Sequence, residues 1–303
     1  MSTSRSVAAG NGVAWLTRGF GTVRKHAATL SIATFLLVLA VLVPVGIQLA
    51  AQFLLAGTSA SLAIQLLATL VMVFLASLLM VGLLRLIDTL ERTGSGRATS
   101  IFDVFTDTDL MARAVTFALI VLVVSIAFVV ALLLTLGPDM LGWYKSVLMN
   151  PMGAAAAAAP PITGSPWLSA AVGLFGSLAL FGINTFGYAQ VALTRVGGAE
   201  AFMDGLNGTA RNMLPILVNL VVVIIAIVVL VIPLVILMML FGFVGGLVHP
   251  IAALLLTVPV YVGFMIALYA LIFATMYHAW RDVFGESAVT AALGPPPPPQ
   301  LQA

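Results

Sequence analysis

The chain has 303 residues, of which 62% are hydrophobic and 7% charged, and its net charge is +2. Soluble domains carry roughly 25% charged residues, so this composition excludes a globular protein surrounded by water. The small net charge argues against a nucleic-acid partner. The absence of cysteine excludes disulfides, thiolate nucleophiles and cysteine metal ligands. Because the apolar runs are continuous rather than alternating, the composition indicates an all-α integral membrane protein.

The chain begins with a small, polar stretch over residues 1–12, which we expect to be disordered. The next segment, AWLTRGFGTVRKHAATL, is predicted to be an amphipathic helix on the membrane surface. One helical face carries its apolar residues, which are Trp15, Leu16, Phe20, Val23, Ala27 and Leu30. We predict that Arg18, Arg24 and Lys25 contact anionic lipid headgroups. The alternative is a solvated basic segment that only sets the orientation of the chain.

Six apolar runs are long enough to cross ~30 Å of hydrocarbon as helices. They cover residues 30–54, 62–84, 114–136, 168–193, 214–243 and 251–277. Taken in pairs they predict three hairpins within one membrane domain, residues 13–286, followed by a disordered proline-rich tail, residues 287–303. An interfacial helix precedes each hairpin, beginning at AWLTRGF, IFDVFTD and AFMDGLN. The three units have the same orientation, which predicts parallel repeats about an axis along the membrane normal.

The second and third interfacial helices are predicted from their apolar periodicity. In the second, the apolar stripe is formed by Ile101, Val104, Phe105, Met111 and Val115. In the third, the apolar face is formed by Phe202, Leu206, Ala210, Met213 and Leu217. Asp204, Asn207 and Arg211 lie off that face. Asp109 and Arg113 are four residues apart and are expected to form an ion pair.

The basic residues predict the orientation of the chain. Of the 12 Lys and Arg residues, only Lys145 falls on one side of this layout. The other eleven fall on the opposite side: Arg5, Arg18, Arg24, Lys25, Arg85, Arg92, Arg97, Arg113, Arg195, Arg211 and Arg281. That side is therefore expected to be cytoplasmic, with both termini inside a bacterial inner membrane. Trp15 and Trp280 would lie at the inner interface, and Trp143 and Trp167 at the outer one.

The spans contain no deeply placed ionisable residue, which argues against an ion-coupled transporter. Their neutral polar residues Asn184, Tyr188 and Asn219 are the candidates either for a polar cavity or for contacts between helices. The sequence shows no catalytic residue set, no metal-ligand cluster and no cofactor motif, so an enzyme ranks last. The outer loop over residues 137–166 is expected to be mobile or to rest on the outer face.

Two longer stretches carry a resemblance to a known family. They are GLLRLIDTLERTGSG…IFDVF and AFMDGLNGTARNMLPILVNL…ATMYHAWRDVFGE, within Val81–Glu286. This part of the chain resembles the YciC-like bacterial inner-membrane proteins and the membrane domain joined to some glycerophosphodiester phosphodiesterases. The resemblance implies a six-span inner-membrane protein without an assigned activity. It does not carry over the phosphodiesterase activity, which belongs to a separate soluble domain.

The function expected from the sequence is non-enzymatic. The chain would organise the membrane or bind a partner through its cytoplasmic surface helices, with membrane lipids as its first partners and another membrane or cytoplasmic protein as a second. The alternative is a transporter or channel for a neutral or lipid-like substrate. A cavity lined by Asn184, Tyr188 and Asn219 would favour transport, and a solid core would favour the first interpretation.

Overall fold

A computed structural model describes residues 4–55, 58–149 and 160–293 of the chain. Every regular element within these ranges is a helix. In chain order they are α1 (Asn11–Lys25), α2 (Ala27–Leu54), α3 (Ser59–Thr93), a 3-10 helix (Ala98–Phe105), α4 (Thr108–Leu136), α5 (Pro138–Met149), α6 (Pro166–Leu193), α7 (Gly198–Arg211), α8 (Met213–Val248) and α9 (Pro250–Leu293).

Six of these helices are long and apolar enough to cross a membrane, which confirms the predicted membrane class. The apolar segments are Ala27–Leu54, Ala60–Thr93, Thr108–Leu136, Pro166–Leu193, Met213–Val248 and Ile251–Gly285. Several extend beyond the predicted bounds because the helix continues from the apolar run into the charged sequence beside it. The 44-residue helix α9, for example, continues through HAWRDVF to Leu293.

Both ends of the described chain are more ordered than the sequence predicts. Residues 4–10 lie against the ends of α7 and α9, where the Arg5 N–H donates to Val283 O at 3.0 Å. The expected disorder over residues 1–12 is therefore wrong for residues 4–12, since Asn11 already begins α1. At the other end, residues 287–293 continue α9, whereas residues 294–303 of the predicted tail lie outside the described ranges.

In the predicted outer loop, residues 138–149 form α5, and residues 150–159 also lie outside those ranges.

The spanning helices pack around a central group of three. Helices α3, α6 and α9 contact one another. Helix α2 packs against α3 and α9, α4 packs against α6 and α3, and α8 packs against α9 and α6. Each peripheral helix therefore occupies the groove between two of the central helices, and the same arrangement occurs three times.

The short helices repeat this arrangement at the charged end of the molecule. Helix α1 packs against α9 and α8, the 3-10 helix against α3 and α2, and α7 against α6 and α4. The 3-10 helix and α7 thus each rest on the two spans that precede them in the chain. Helix α1, which no span precedes, rests on the last two spans and so completes a ring. The first short helix and the last two spans of the chain are consequently joined by packing.

Glycines allow the short helices to approach the spans closely. A Cβ added to Gly12 or to Gly198 would lie 2.4 Å from Pro215 O or 2.5 Å from Arg113 O, respectively. Seven residues further on, a Cβ added to Gly19 would lie 2.9 Å from Thr275 N, and one added to Gly205 would lie 3.0 Å from Ile183 O. Helices α1 and α7 therefore share a pair of glycines seven residues apart, which one helical face accommodates because seven residues are close to two turns.

Helices α1 and α7 pack on the spans through faces rich in small residues. The buried residues of α1 are Gly12, Trp15, Gly19 and Thr22, whereas Phe20 is 59% exposed. Leu206 of α7 is also exposed, while Asp204 is 1% exposed. The sequence pattern assigned the large apolar side chains of both helices to the membrane surface. Phe20 and Leu206 do face away from the protein, whereas Trp15 lies in its core.

The core lies mainly at the charged end of the molecule. Its large, fully buried side chains include Trp15, Phe117, Phe186, Tyr277 and Phe284. By contrast, no residue is buried in the most apolar windows of the fifth and sixth spans. Trp15 and Trp280 belong to this core, so their predicted place in an interfacial aromatic belt is wrong. The outer halves of the spans present their apolar side chains outward, as contact with hydrocarbon requires.

Candidate functional site

Polar side chains connect the three central helices. The hydroxyls of Ser77 and Tyr188 lie 2.8 Å apart across α3 and α6. Trp280 Nε1 of α9 donates to Gln190 Oε1 of α6 at 3.0 Å. The Tyr277 hydroxyl of α9 donates to Asp88 Oδ1 of α3 at 3.1 Å. Each pair of central helices is therefore fixed by a hydrogen bond in a specific register, because buried polar groups are costly when unpaired.

A buried pair joins α7 to the central helices. Gln190 Nε2 donates to Asp204 Oδ2 at 2.9 Å, and both residues are almost completely buried. Asp204, which lies off the apolar face of its helix, is therefore buried against the preceding span, and that span supplies a donor for its carboxylate. Asp204 immediately precedes Gly205, whose lack of a side chain permits this close approach.

The corresponding place on α1 is occupied by Arg18, which immediately precedes Gly19. Two guanidinium nitrogens of Arg18 donate to the two carboxylate oxygens of Asp282 on α9. Trp15 Nε1 donates to Asp282 Oδ2 at 2.8 Å. The hydrogen bond from Arg18 to Asp282 raises the pKa of Arg18 above its ordinary value, so this guanidinium stays cationic. The side-chain partners of the Asp282 carboxylate therefore lie on α1.

A cleft of about 540 Å³ opens beside this ion pair, between α1, α3 and α9. Its lining residues are Arg18, Gly21, Thr22, Lys25, Glu91, His278 and Arg281. The Thr22 hydroxyl lies 2.9 Å from Glu91 Oε1 and 2.8 Å from His278 Nε2. Because an ionised carboxylate only accepts, the single hydroxyl proton goes to Glu91, and His278 Nε2 donates to the hydroxyl oxygen.

The three polar candidates from the spans are not brought together. Asn184 Nδ2 donates to Leu180 O of its own helix at 2.7 Å. Tyr188 pairs with Ser77 of α3, and Asn219 Nδ2 donates to Gly12 O of α1 at 2.8 Å. The hydrogen bonds of Tyr188 and Asn219 therefore join helices, each to a different neighbour, and the bond of Asn184 stays within α6.

The three basic candidates lie on different sides of α1. Arg18 and Lys25 line the cleft, whereas Arg24 is exposed and is not part of the cleft lining. The sequence analysis did not include Thr22, Glu91, His278 or Arg281 among the site residues. The cleft brings Thr22 together with Glu91, 69 positions later in the chain, and with His278, 256 positions later. No local sequence pattern connects positions so distant.

Comparisons with protein-family models, with characterised proteins and with solved structures found no match. Among the described residues, no group of three His, Asp or Glu side chains is arranged to hold a metal ion. The geometry of the chain's own residues therefore provides the basis for a functional proposal.

Proposed function

We propose that this protein is a non-enzymatic organiser of a bacterial inner membrane, which gathers anionic lipids at its basic, cytoplasmic end. Its six spans would form three hairpins about a pseudo-threefold axis, each with an interfacial helix. The observation that carries the proposal is the surface of α1, where exposed apolar and exposed basic side chains adjoin. Phe20 is 59% exposed, and the nearby Arg24 and Lys25 are also exposed. Such a surface favours the headgroup region, because hydrocarbon receives the ring and anionic lipids neutralise the cations.

The net charge of this end is too small to attract lipids from a distance. Eleven basic residues lie there, but nine of the ten acidic residues do as well, leaving +2. Charges on the surface are also screened beyond about 10 Å at ordinary ionic strength. Attraction therefore has to be local, and α1 supplies it, since Arg24 and Lys25 have no ion pair with a described residue. This supports an effect on the immediate lipid annulus.

The repeated packing supports an organising role over transport. Each pair of central helices is joined by a polar contact at the basic end, and the adjoining core contains large aromatic side chains. A transporter needs a solvated path between its helices. The described residues place hydrogen bonds between Ser77 and Tyr188 and between Gln190 and Trp280 where such a path would start.

Reconstitution of the full chain in phosphatidylcholine vesicles with a minor fraction of fluorescent phosphatidylglycerol tests the proposal. Energy transfer from the protein should report enrichment of the anionic lipid over a fluorescent phosphatidylcholine. The double variant Arg24→Gln/Lys25→Gln should lose about two thirds or more of the enrichment, since each cation near the surface is worth ~1 kcal/mol. Arg195→Gln, exposed in the loop between α6 and α7, is the matched control. Equal energy transfer to both lipids would refute the proposal.

A further inference from the structure

The cleft between α1, α3 and α9 contains a cluster of cationic side chains that nonspecific binding to a lipid surface does not require. Three of its lining side chains are cationic, Arg18, Lys25 and Arg281, against the one carboxylate of Glu91. Lys25 and Arg281 form no ion pair with any described residue, and among these three cations only Arg18 has a carboxylate partner in the described part of the chain. They come from α1 and α9, and only the folded chain brings them together.

The walls of the cleft are fixed by hydrogen bonds. Arg18 is held by both oxygens of Asp282. At the floor, Thr22 is 3% exposed and His278 is 5% exposed, and the chain of hydrogen bonds from His278 through Thr22 to Glu91 immobilises all three. Arg18 and Glu91 are therefore held in place, which lowers the conformational entropy that this part of the cleft loses when a ligand binds, whereas Lys25 and Arg281 are exposed.

We propose that this cleft binds the phosphate group of a phosphate monoester, carried either by a lipid headgroup or by a soluble molecule. Arg binds phosphate through its planar set of donors and Lys as a point charge. Two cations without an ion pair to a described residue match the second negative charge of a monoester, which a diester such as phosphatidylcholine lacks. The cleft volume of about 540 Å³ accommodates a phosphate ester, and pockets for small molecules are commonly 300–1,000 Å³. The lipid form of the proposal rests on the proposed function, and the soluble form does not.

A substitution of Gly21 tests the cleft without changing any charge. A Cβ added to Gly21 meets no atom within 4 Å, although Gly21 lines the cleft. The variant Gly21→Met should therefore place a bulky apolar side chain in the cleft, where it obstructs a ligand, without displacing α1 from α9. Glu91→Gln supplies a test of opposite sign, because the amide oxygen still accepts from Thr22 while the negative charge that repels a phosphate is removed.

The experiment uses the full chain in phosphatidylcholine nanodiscs, with two arms that separate the sources of phosphate. In the soluble arm, glycerol 3-phosphate is titrated and its binding is followed by calorimetry. In the lipid arm, phosphatidic acid is added to the discs, and its retention by the protein is measured by native mass spectrometry. Binding in the first arm identifies a soluble ester as a ligand, and binding in the second arm alone identifies a lipid headgroup.

In whichever arm binds, Lys25→Gln and Arg281→Gln should each weaken binding by roughly fivefold, as expected for one cation near a phosphate. Gly21→Met should abolish binding, Glu91→Gln should strengthen it, and Arg195→Gln should leave it unchanged. Absence of binding in both arms would overturn the proposal. So would a loss with Arg195→Gln as large as that with Lys25→Gln, because it would show that only the general charge of the surface matters.

The two proposals fail separately. If phosphatidylglycerol enrichment depends on Arg24 and Lys25 but is insensitive to Gly21→Met, and neither phosphate arm binds, the cleft proposal alone is wrong. If glycerol 3-phosphate binds with the expected pattern of variants but no lipid is enriched, the membrane-organising proposal alone is wrong.

Discussion

At the scale of single residues, the fold depends on glycines at the contacts between helices. Gly19 and Gly205 occupy equivalent positions on α1 and α7, at the contact with the preceding central helix. The residue before each glycine, Arg18 or Asp204, pairs with a polar partner on that same helix. The glycine brings the backbones close together, and the neighbouring polar pair sets the register. The same combination in two parts of the chain with different sequences indicates a geometric requirement of the packing.

The glycine contact can be tested with two substitutions on one helix. Gly19→Ala should lower the free energy of unfolding by about 1–3 kcal/mol, because the new methyl group overpacks a filled contact 2.7 Å from Thr275 Oγ1. Gly21→Ala has open space and should raise stability by up to ~1 kcal/mol, because alanine is the better helix former. Thermal unfolding of both variants in the same detergent measures the difference. Equal effects of the two substitutions would contradict the close contact.

At the scale of elements, the segment over residues 4–10 joins the first unit of the chain to the third. Asn212, at the break between α7 and α8, accepts from the Val7 N–H at 2.9 Å and donates to Arg5 O at 3.0 Å. Arg211 Nη1 also donates to Ser4 O at 2.7 Å. Helix α1, which follows, packs against α8 and α9. The segment therefore closes the ring of three units by hydrogen bonds of its backbone.

Replacement of Asn212 should release this segment. Asn212 is fully buried, and Asn212→Ala removes both of its bonds to residues 5 and 7, so trypsin should cleave after Arg5 several-fold faster than in the unmodified chain. Asn207→Ala removes the same kind of amide from an exposed position on α7, five residues earlier, and should leave the cleavage rate unchanged. Rates are compared by mass spectrometry under native conditions. Equal rates in the two variants would show that other contacts hold the segment.

The elements also show how far the sequence predicts this fold. Six spans follow from apolar runs, since length and composition alone determine which segments can cross hydrocarbon. The ion pair between Asp109 and Arg113 follows from helical spacing and is confirmed at 3.1 Å. The faces through which α1 and α7 pack on the spans were not predicted, because periodicity identifies an apolar face without telling whether protein or lipid covers it. A pair of glycines seven residues apart was the available signal for the inward face.

The candidate site was less predictable than the fold. Arg18 and Lys25 were identified from the basic character of α1, and both line the cleft. Glu91, His278 and Arg281 come from the ends of two other helices, and their contact with α1 depends on packing between the first and last units.

The second short helix was predicted as an α-helix but is a 3-10 helix over Ala98–Phe105. The following span starts with its own cap, since the Asp107 side chain accepts from the Leu110 N–H.

At the scale of the whole molecule, the two ends of the helix group differ in packing. The basic end contains most of the core, the three polar contacts of the central helices and all of the short helices that pack on them. The outer halves present exposed apolar side chains, such as Leu247, which is 72% exposed. A protein anchored by one rigid end can expose its outer hairpins to the bilayer without losing its fold. In the proposed function, the specific lipid contacts would lie at this packed, basic end.

The last prediction tests the packing of the central helices and the orientation of the chain in the membrane. The chain has no cysteine, so single cysteines can be labelled in intact cells with a membrane-impermeant maleimide. Ser146→Cys, exposed on α5, should react from outside, and Ser95→Cys, exposed after α3, should react only after the membrane is permeabilised. Ser77→Cys should resist the reagent in both cases, because Ser77 is 3% exposed and pairs with Tyr188. Rapid labelling at Ser77 from outside would reveal a solvated path between the central helices and would favour the transporter, whereas labelling at Ser95 in intact cells would reverse the orientation.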